Sequence, residues 1–266
     1  MALPNDVVIY QFDGERGCMV PLLETIANGR PSVLLVHGQP GSGAMWGEVP
    51  FMLHKFANVF SYDRPGWGSS SLSATDLSGN TDYLASVVSA IGISSLVLVG
   101  YSYGGAVVLD YCSRSNSNPR VVLIAPAANY HALGLLDSVL EIGVFDLFSR
   151  PRSRYFKLRR ALRLDQTPTG LAIKSLLSES RWIRKDLQAL RVPKDLASVV
   201  IVAGILDRVV PPTSIRALSQ SLGDANVEWF GKLGHTIIWQ APEVIVSVIS
   251  KFLGNSGSRD AIREQS

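Results

Sequence analysis

The sequence predicts an α/β fold with a mainly parallel sheet covered by helices on both faces. Three observations carry that reading. Short apolar runs rich in β-branched residues recur along the chain, amphipathic stretches of helix length separate them, and the alternation lapses once, between about residues 127 and 190. Strands separated by helices need crossover connections, and crossovers make neighbouring strands parallel. A chain of 266 residues, 47% apolar and 18% charged, can fill the core of such a sheet. The same composition excludes a disordered or collagen-like chain.

Taken in order, the runs at 6–10, 32–37, 59–62, 95–100, 121–125, 199–203 and 227–230 read as seven strands. The stretch MWGEVPFMLHKF reads as a helix containing His54, and further helices are expected at 82–91, 106–113, 214–222 and 244–253. After the strand at 121–125, some sixty residues carry no strand pattern. LGLLDSVLEIGVFDLF, RSRYFKLRRALRL and GLAIKSLLSES read there as helices. A helical insertion leaving a strand's carboxyl end covers the loops at that edge, so a lid is expected. The division is then a core of residues 1–126 and 191–254, a lid of 127–190, and a frayed polar tail of 255–266.

Charge narrows the class of partner. Lys and Arg number 25 against 22 Asp and Glu, a net +3, which gives no global pull toward nucleic acid or an anionic membrane. The basic excess is concentrated between residues 126 and 191, where 12 Lys or Arg face 6 Asp or Glu. On a helix over 150–163, Tyr155, Leu158 and Leu162 share one face while several arginines point elsewhere, so this reads as a lid helix with a solvated basic top. The two cysteines, Cys18 and Cys112, make neither a disulfide framework nor a metal-ligand spacing. The first residues show no basic segment followed by an apolar one, and no apolar run reaches the roughly 18 residues a membrane span needs. A soluble cytoplasmic protein with no metal and no cofactor, acting on a small molecule, is expected, with no nucleic-acid partner and no stable membrane association. The sequence leaves the oligomeric state open.

One segment carries chemistry. Gly100-Tyr101-Ser102-Tyr103-Gly104 follows an apolar strand and opens a helix, the setting in which a serine is held at the tip of a sharp turn with its hydroxyl exposed. Bulky side chains two positions away on either side would collide across such a turn, and glycine at 100 and 104 avoids this. A serine hydroxyl needs a base to become a nucleophile and an acid to orient that base. Of the histidines His37, His54, His131 and His235, only His235 lies in the loop between the last strand and the last helix, at the carboxyl edge that Ser102 occupies. Asp207 follows the penultimate strand; the loop after 121–125 reads APAANY and holds no acid. The order Ser102, Asp207, His235 is that of a hydrolase built on a parallel sheet, not that of chymotrypsin-like or subtilisin-like chains.

At this point the residues resemble the α/β-hydrolase superfamily, over nearly the whole chain. Four stretches carry the likeness: His37-Gly38-Gln39-Pro40-Gly41, Tyr62-Asp63-Arg64-Pro65-Gly66-Trp67-Gly68-Ser69-Ser70, Gly100 to Gly105, and the Asp207 and His235 loops. The resemblance implies eight strands, the eighth at 19–24, and a lid inserted after the sixth. It also implies an oxyanion hole of two backbone N–H groups, from Tyr103 and from the loop after the third strand, where Pro40 has no N–H and Gln39 is the better candidate. Asp63 reads as a structural acid taking backbone N–H bonds in a tight Gly/Pro loop. Serine at the elbow argues against the relatives that open epoxides or displace halides through an aspartate. The expected activity is hydrolysis of a small or medium apolar carboxylic ester through an acyl-enzyme. A carbon–carbon bond hydrolase or a perhydrolase would use the same residues, and a ligand receptor on a hydrolase scaffold is the alternative of another class.

Overall fold

The computed structural model describes residues 9–13, 18–21, 29–93, 95–115, 118–128, 169–193, 196 and 198–254. Eight strands form one sheet: β1 Ile9–Asp13, β2 Cys18–Pro21, β3 Ser32–Val36, β4 Asn58–Tyr62, β5 Leu96–Tyr101, β6 Arg120–Ile124, β7 Val199–Gly204 and β8 Asn226–Phe230, in the order β2-β1-β4-β3-β5-β6-β7-β8. Among the described residues only the β1 pairings, with β2 and β4, are antiparallel. The α/β sheet expected from the alternation is therefore present, with the eighth strand that the resemblance added. The described part of β1 begins within the apolar run at 6–10 and continues to Asp13, with Ile9 facing Tyr62 and Asp13 facing Cys18.

The central strands read as unbroken apolar runs because helices cover both faces. Alternate residues divide between two cores. Leu34, Val36, Leu98, Leu123 and Ile201 face one way, packing with Leu84 and Val87 of α2 (Leu77–Ile91), Val107 of α3 (Tyr103–Arg114) and Ile215. Val33, Leu35, Val97, Val99, Val122 and Val202 face the other, against Trp46, against Val49 and Leu53 of α1 (Val49–Leu53), and against Ile245 and Ile249.

Three helices depart furthest from the pattern. MWGEVPFMLHKF breaks into a 3-10 turn, Gly43–Trp46, and α1, with His54 at the helix end and not inside it. Gly47 at φ 55° stops the first turn, and Pro50 suits the first turn of the second helix. α2 begins five residues before the expected 82, because the Asp76 carboxylate caps it by accepting the Gly79 N–H at 2.9 Å. GLAIKSLLSES lies within a longer helix, α4 (Thr169–Ala189). Among the described residues the remaining helices are α5 (Pro212–Ser221), α6 (Ile237–Gln240) and α7 (Pro242–Gly254). The expected helices around 133–148 and 152–164, His131 and the tail lie outside the described residues.

From β3 the chain winds outward to β4, then crosses back to β5 and continues in the opposite direction. At such a switch the loops after the two strands part and leave a crevice at the carboxyl edge. Gly38 and Gln39 follow β3, and Ser102 follows β5.

Candidate active site

Ser102 sits in the expected turn. Its backbone is left-handed, φ 53°, and it is 2% exposed. Side chains rarely adopt that conformation, and it persists only where the surroundings enforce it. Here they do: the Ser102 N–H donates to Ile124 O and its carbonyl accepts from the Gly105 and Ala127 N–H groups, at 2.9 to 3.0 Å. A Cβ on Gly104 would overlap the Val36 and His37 carbonyl oxygens, and one on Gly100 would lie 2.7 Å from Gly104 O. Both glycines are therefore required by close backbone approach.

His235, 8% exposed, lies in the loop between β8 and α6. The buried Tyr101 hydroxyl, one residue before Ser102, donates to the His235 carbonyl at 3.0 Å and fixes that loop to the end of β5. Asp207 follows β7. Its Oδ1 accepts the Val209 and Val210 N–H groups, each at 2.8 Å, which leaves Oδ2 facing His235 Nδ1 at 2.9 Å. His235 Nε2 is 3.0 Å from Ser102 Oγ. A carboxylate only accepts, so the shared proton belongs to Nδ1 and Nε2 is left as acceptor for the serine hydroxyl. Three residues far apart in sequence thus form one buried hydrogen-bonded line, able to take a proton from Ser102 and return it.

Tyr103 opens α3 directly after Ser102, so its N–H precedes the first intrahelical bond. Gln39 follows Gly38, whose added Cβ would come within 2.8 Å of Ser102 Cβ. The structure therefore brings all five sequence-selected residues to one edge. Asp63 is bonded as expected of a structural acid: Gly43 N–H at 2.6 Å on Oδ1 and Ser69 N–H at 2.8 Å on Oδ2. A Cβ on Gly68 would overlap that carboxyl, which accounts for the glycine.

Sequence reasoning passed over Arg64 and Glu179. Both are buried and pair at 2.7 Å behind the Gly38 loop. The available signal was the arginine beside Asp63 in an apolar loop, but its acid partner lies 115 residues away and has no motif of its own. Cys112 is a free, buried thiol whose pKa burial pushes up to about 12, so it stays protonated near neutrality. Among the described residues no cluster of His, Cys, Asp or Glu is arranged to hold a metal ion, and no helix is long and apolar enough to cross a membrane.

Comparison with known proteins agrees with this fold. The chain is 23% identical over 263 residues to the AB hydrolase superfamily protein YisY of Bacillus subtilis, covering 86% of this chain and 94% of that one. It is 25% identical over 253 residues to the 2-hydroxy-6-oxo-2,4-heptadienoate hydrolase of Pseudomonas putida, covering 87% and 91%. Among solved structures, the meta-cleavage product hydrolase CumD, a Pseudomonas fluorescens protein, superposes with a TM-score of 0.71 at 21% identity over 96% of this chain and 97% of the other. The model of the alpha/beta hydrolase family matches residues 33–248, and the chain belongs to that family.

Proposed function

We propose that the protein is a serine hydrolase that cleaves a small or medium apolar carboxylic ester through an acyl-enzyme. The observation that carries this reading is the line Ser102 Oγ, His235 Nε2, His235 Nδ1, Asp207 Oδ2, with links of 3.0 and 2.9 Å, behind a serine held at φ 53°. Ser102 Oγ attacks the ester carbonyl while its proton passes to His235 Nε2. Asp207 holds the imidazole and stabilises the imidazolium. The Gln39 and Tyr103 N–H groups bind the oxyanion of the tetrahedral intermediate, a contribution of about 3 to 4 kcal/mol for one such donor. Collapse breaks the bond to the alcohol oxygen, which leaves with the proton from Nε2. Water then attacks the acyl-serine by the same steps and releases the acid.

An apolar substrate fits the exposed Ile205 and Leu206, which share the Asp207 loop. Residues 127–190 are read as the lid. In support, α4 is docked on the carboxyl edge of the sheet: Ser175 Oγ donates to Gly66 O at 2.6 Å and the Asp186 carboxylate accepts the Leu77 N–H at 2.9 Å.

The test is turnover of p-nitrophenyl esters of graded acyl length. Wild-type protein is expected to hydrolyse short and medium chains, and Ser102→Ala to lose that turnover with its circular dichroism unchanged. Equal turnover in the variant would overturn the assignment. The likeness to the Pseudomonas putida hydrolase favours a second reading, cleavage of a carbon–carbon bond in a vinylogous diketone with the same residues. Product masses from the two substrate types separate them.

A further inference from the structure

We propose that Arg64 is the positioning residue of the oxyanion hole. It fixes the Gly38–Gln39 peptide so that the Gln39 N–H is aimed at the site, and Glu179 ties that setting to α4. The proposal rests on the serine-hydrolase reading and specifies how its oxyanion hole is held.

A guanidinium has five N–H donors in a rigid plane, and in Arg64, which is 0% exposed, each has an acceptor. Nε donates to His37 O at 3.1 Å and Nη2 to Gly38 O at 3.1 Å. Nη1 donates to Asn80 Oδ1 at 3.0 Å and to Glu179 Oε1 at 2.7 Å, and Nη2 also reaches Glu179 Oε2 at 3.4 Å. The Asn80 amide is itself oriented, because its Nδ2 donates to the Thr75 and Asp76 carbonyls. The guanidinium therefore has a single way to lie.

His37 adds a second hold. The Arg64 backbone N–H donates to His37 Nε2 at 3.0 Å, so that nitrogen is an acceptor and the proton sits on Nδ1, which donates to Gly38 O at 2.8 Å. Burial first, and the Arg64 charge second, hold the His37 pKa well below its ordinary value, which keeps the ring neutral. Gly38 O thus accepts from both Arg64 and His37.

The consequence follows from peptide geometry. In a trans peptide the N–H points away from the carbonyl oxygen and lies on the side of the preceding Cα. The preceding Cα is that of Gly38, the residue packed against Ser102. Holding Gly38 O toward Arg64 turns the Gln39 N–H toward the nucleophile. A cation on the carbonyl also polarises the amide and strengthens its N–H as a donor. The guanidinium lies 5.0 Å above the ring of Tyr103, the residue that supplies the second donor.

A purely structural staple would predict lost stability and an unaltered reaction, and the experiment separates the two. In Arg64→Lys the ammonium cannot span Gly38 O and the Glu179 carboxylate together. We expect kcat for p-nitrophenyl butyrate to fall roughly 10- to 100-fold with KM within about twofold. Affinity for a phenylboronic acid, whose tetrahedral adduct on Ser102 carries the oxyanion charge, should fall by a similar factor. Because a poorly paired buried lysine and Glu179 can unfold the protein, Arg64→Met/Glu179→Met is measured in parallel. Replacing both members of a buried pair with apolar side chains is often tolerated, and the same loss of kcat and boronate affinity is expected in that folded variant. Wild-type kcat and boronate affinity in either folded variant would overturn this proposal and leave the ester reading standing. Wild-type protein inert toward both esters and a fluorophosphonate would overturn the ester reading, and this proposal with it.

Discussion

Two buried polar clusters meet at Gly38, and they are built in opposite ways. On one side, Ser102, His235 and Asp207 form a line in which each link is a single hydrogen bond centred on a ring that can gain or lose a proton. On the other, Arg64 uses every N–H it has on Glu179, Asn80, His37 and Gly38. The first cluster is suited to moving a proton, the second to preventing movement. On the proposed reading both are needed, because an N–H that must meet a short-lived oxyanion acts only if its direction is fixed beforehand.

The largest effects should come from the mobile cluster. Ser102→Ala is expected to lower kcat by about 10⁴- to 10⁶-fold, leaving the residual rate that an oxyanion hole and binding sustain. Asp207→Asn should cost about 10⁴-fold, for a reason visible in the hydrogen bonds. Val209 and Val210 N–H groups hold one oxygen of residue 207, so an asparagine would keep its oxygen there and turn its NH₂ toward His235. Nδ1 would then have to accept, and Nε2 would carry the proton and be unable to take one from Ser102. A pH–rate profile and kcat below a tenth of wild type check this; a near-wild-type kcat would break the distinction between the clusters.

A middle-sized effect is expected where the clusters touch through backbone. Gly104→Ala drives a Cβ into the Val36 and His37 carbonyls, and it should destabilise the fold by about 1 to 3 kcal/mol, the usual cost of overpacking. Urea denaturation measures it, and an unchanged midpoint would show the elbow to be looser than its contacts imply.

The smallest effect concerns the fixed cluster alone. His37 is held neutral, with a folded pKa below its unfolded value near 6.5. Above that pH neither state binds the proton. Below it the unfolded chain does and the folded one does not, so this histidine's contribution to stability is full above about pH 6.5 and declines as pH falls, by at most about 1.4 kcal/mol per pH unit. NMR of the His37 ring in folded protein is expected to show no titration near pH 6.5, whereas titration there would mean that the cluster is not closed.

The two clusters also differed in how far the sequence revealed them. Ser102 was legible because the elbow demands glycine at 100 and 104 in contiguous sequence, and Asp207 and His235 because each follows a strand at the same edge. The strand alternation likewise made the sheet legible, apart from β2, which only the resemblance supplied. Arg64 and Glu179 left no such trace. Their pairing joins a loop after β4 to a helix more than a hundred residues later, and a buried ion pair imposes no spacing or periodicity that a linear reading can detect. The start of α2 was missed for a related reason: its first turn holds Ser78, Gly79 and Asn80, weak helix formers, and is set by the Asp76 cap and the tertiary bond from Leu77 N–H to Asp186.

The central claim is that Ser102 is an activated nucleophile, and the most direct measurement is the mass of the intact protein after brief exposure to a fluorophosphonate near neutral pH. The account predicts a single adduct, mapped by peptide sequencing to Ser102, absent from Ser102→Ala and formed far more slowly in Asp207→Asn. No adduct on wild-type protein, or one on another residue, would contradict it.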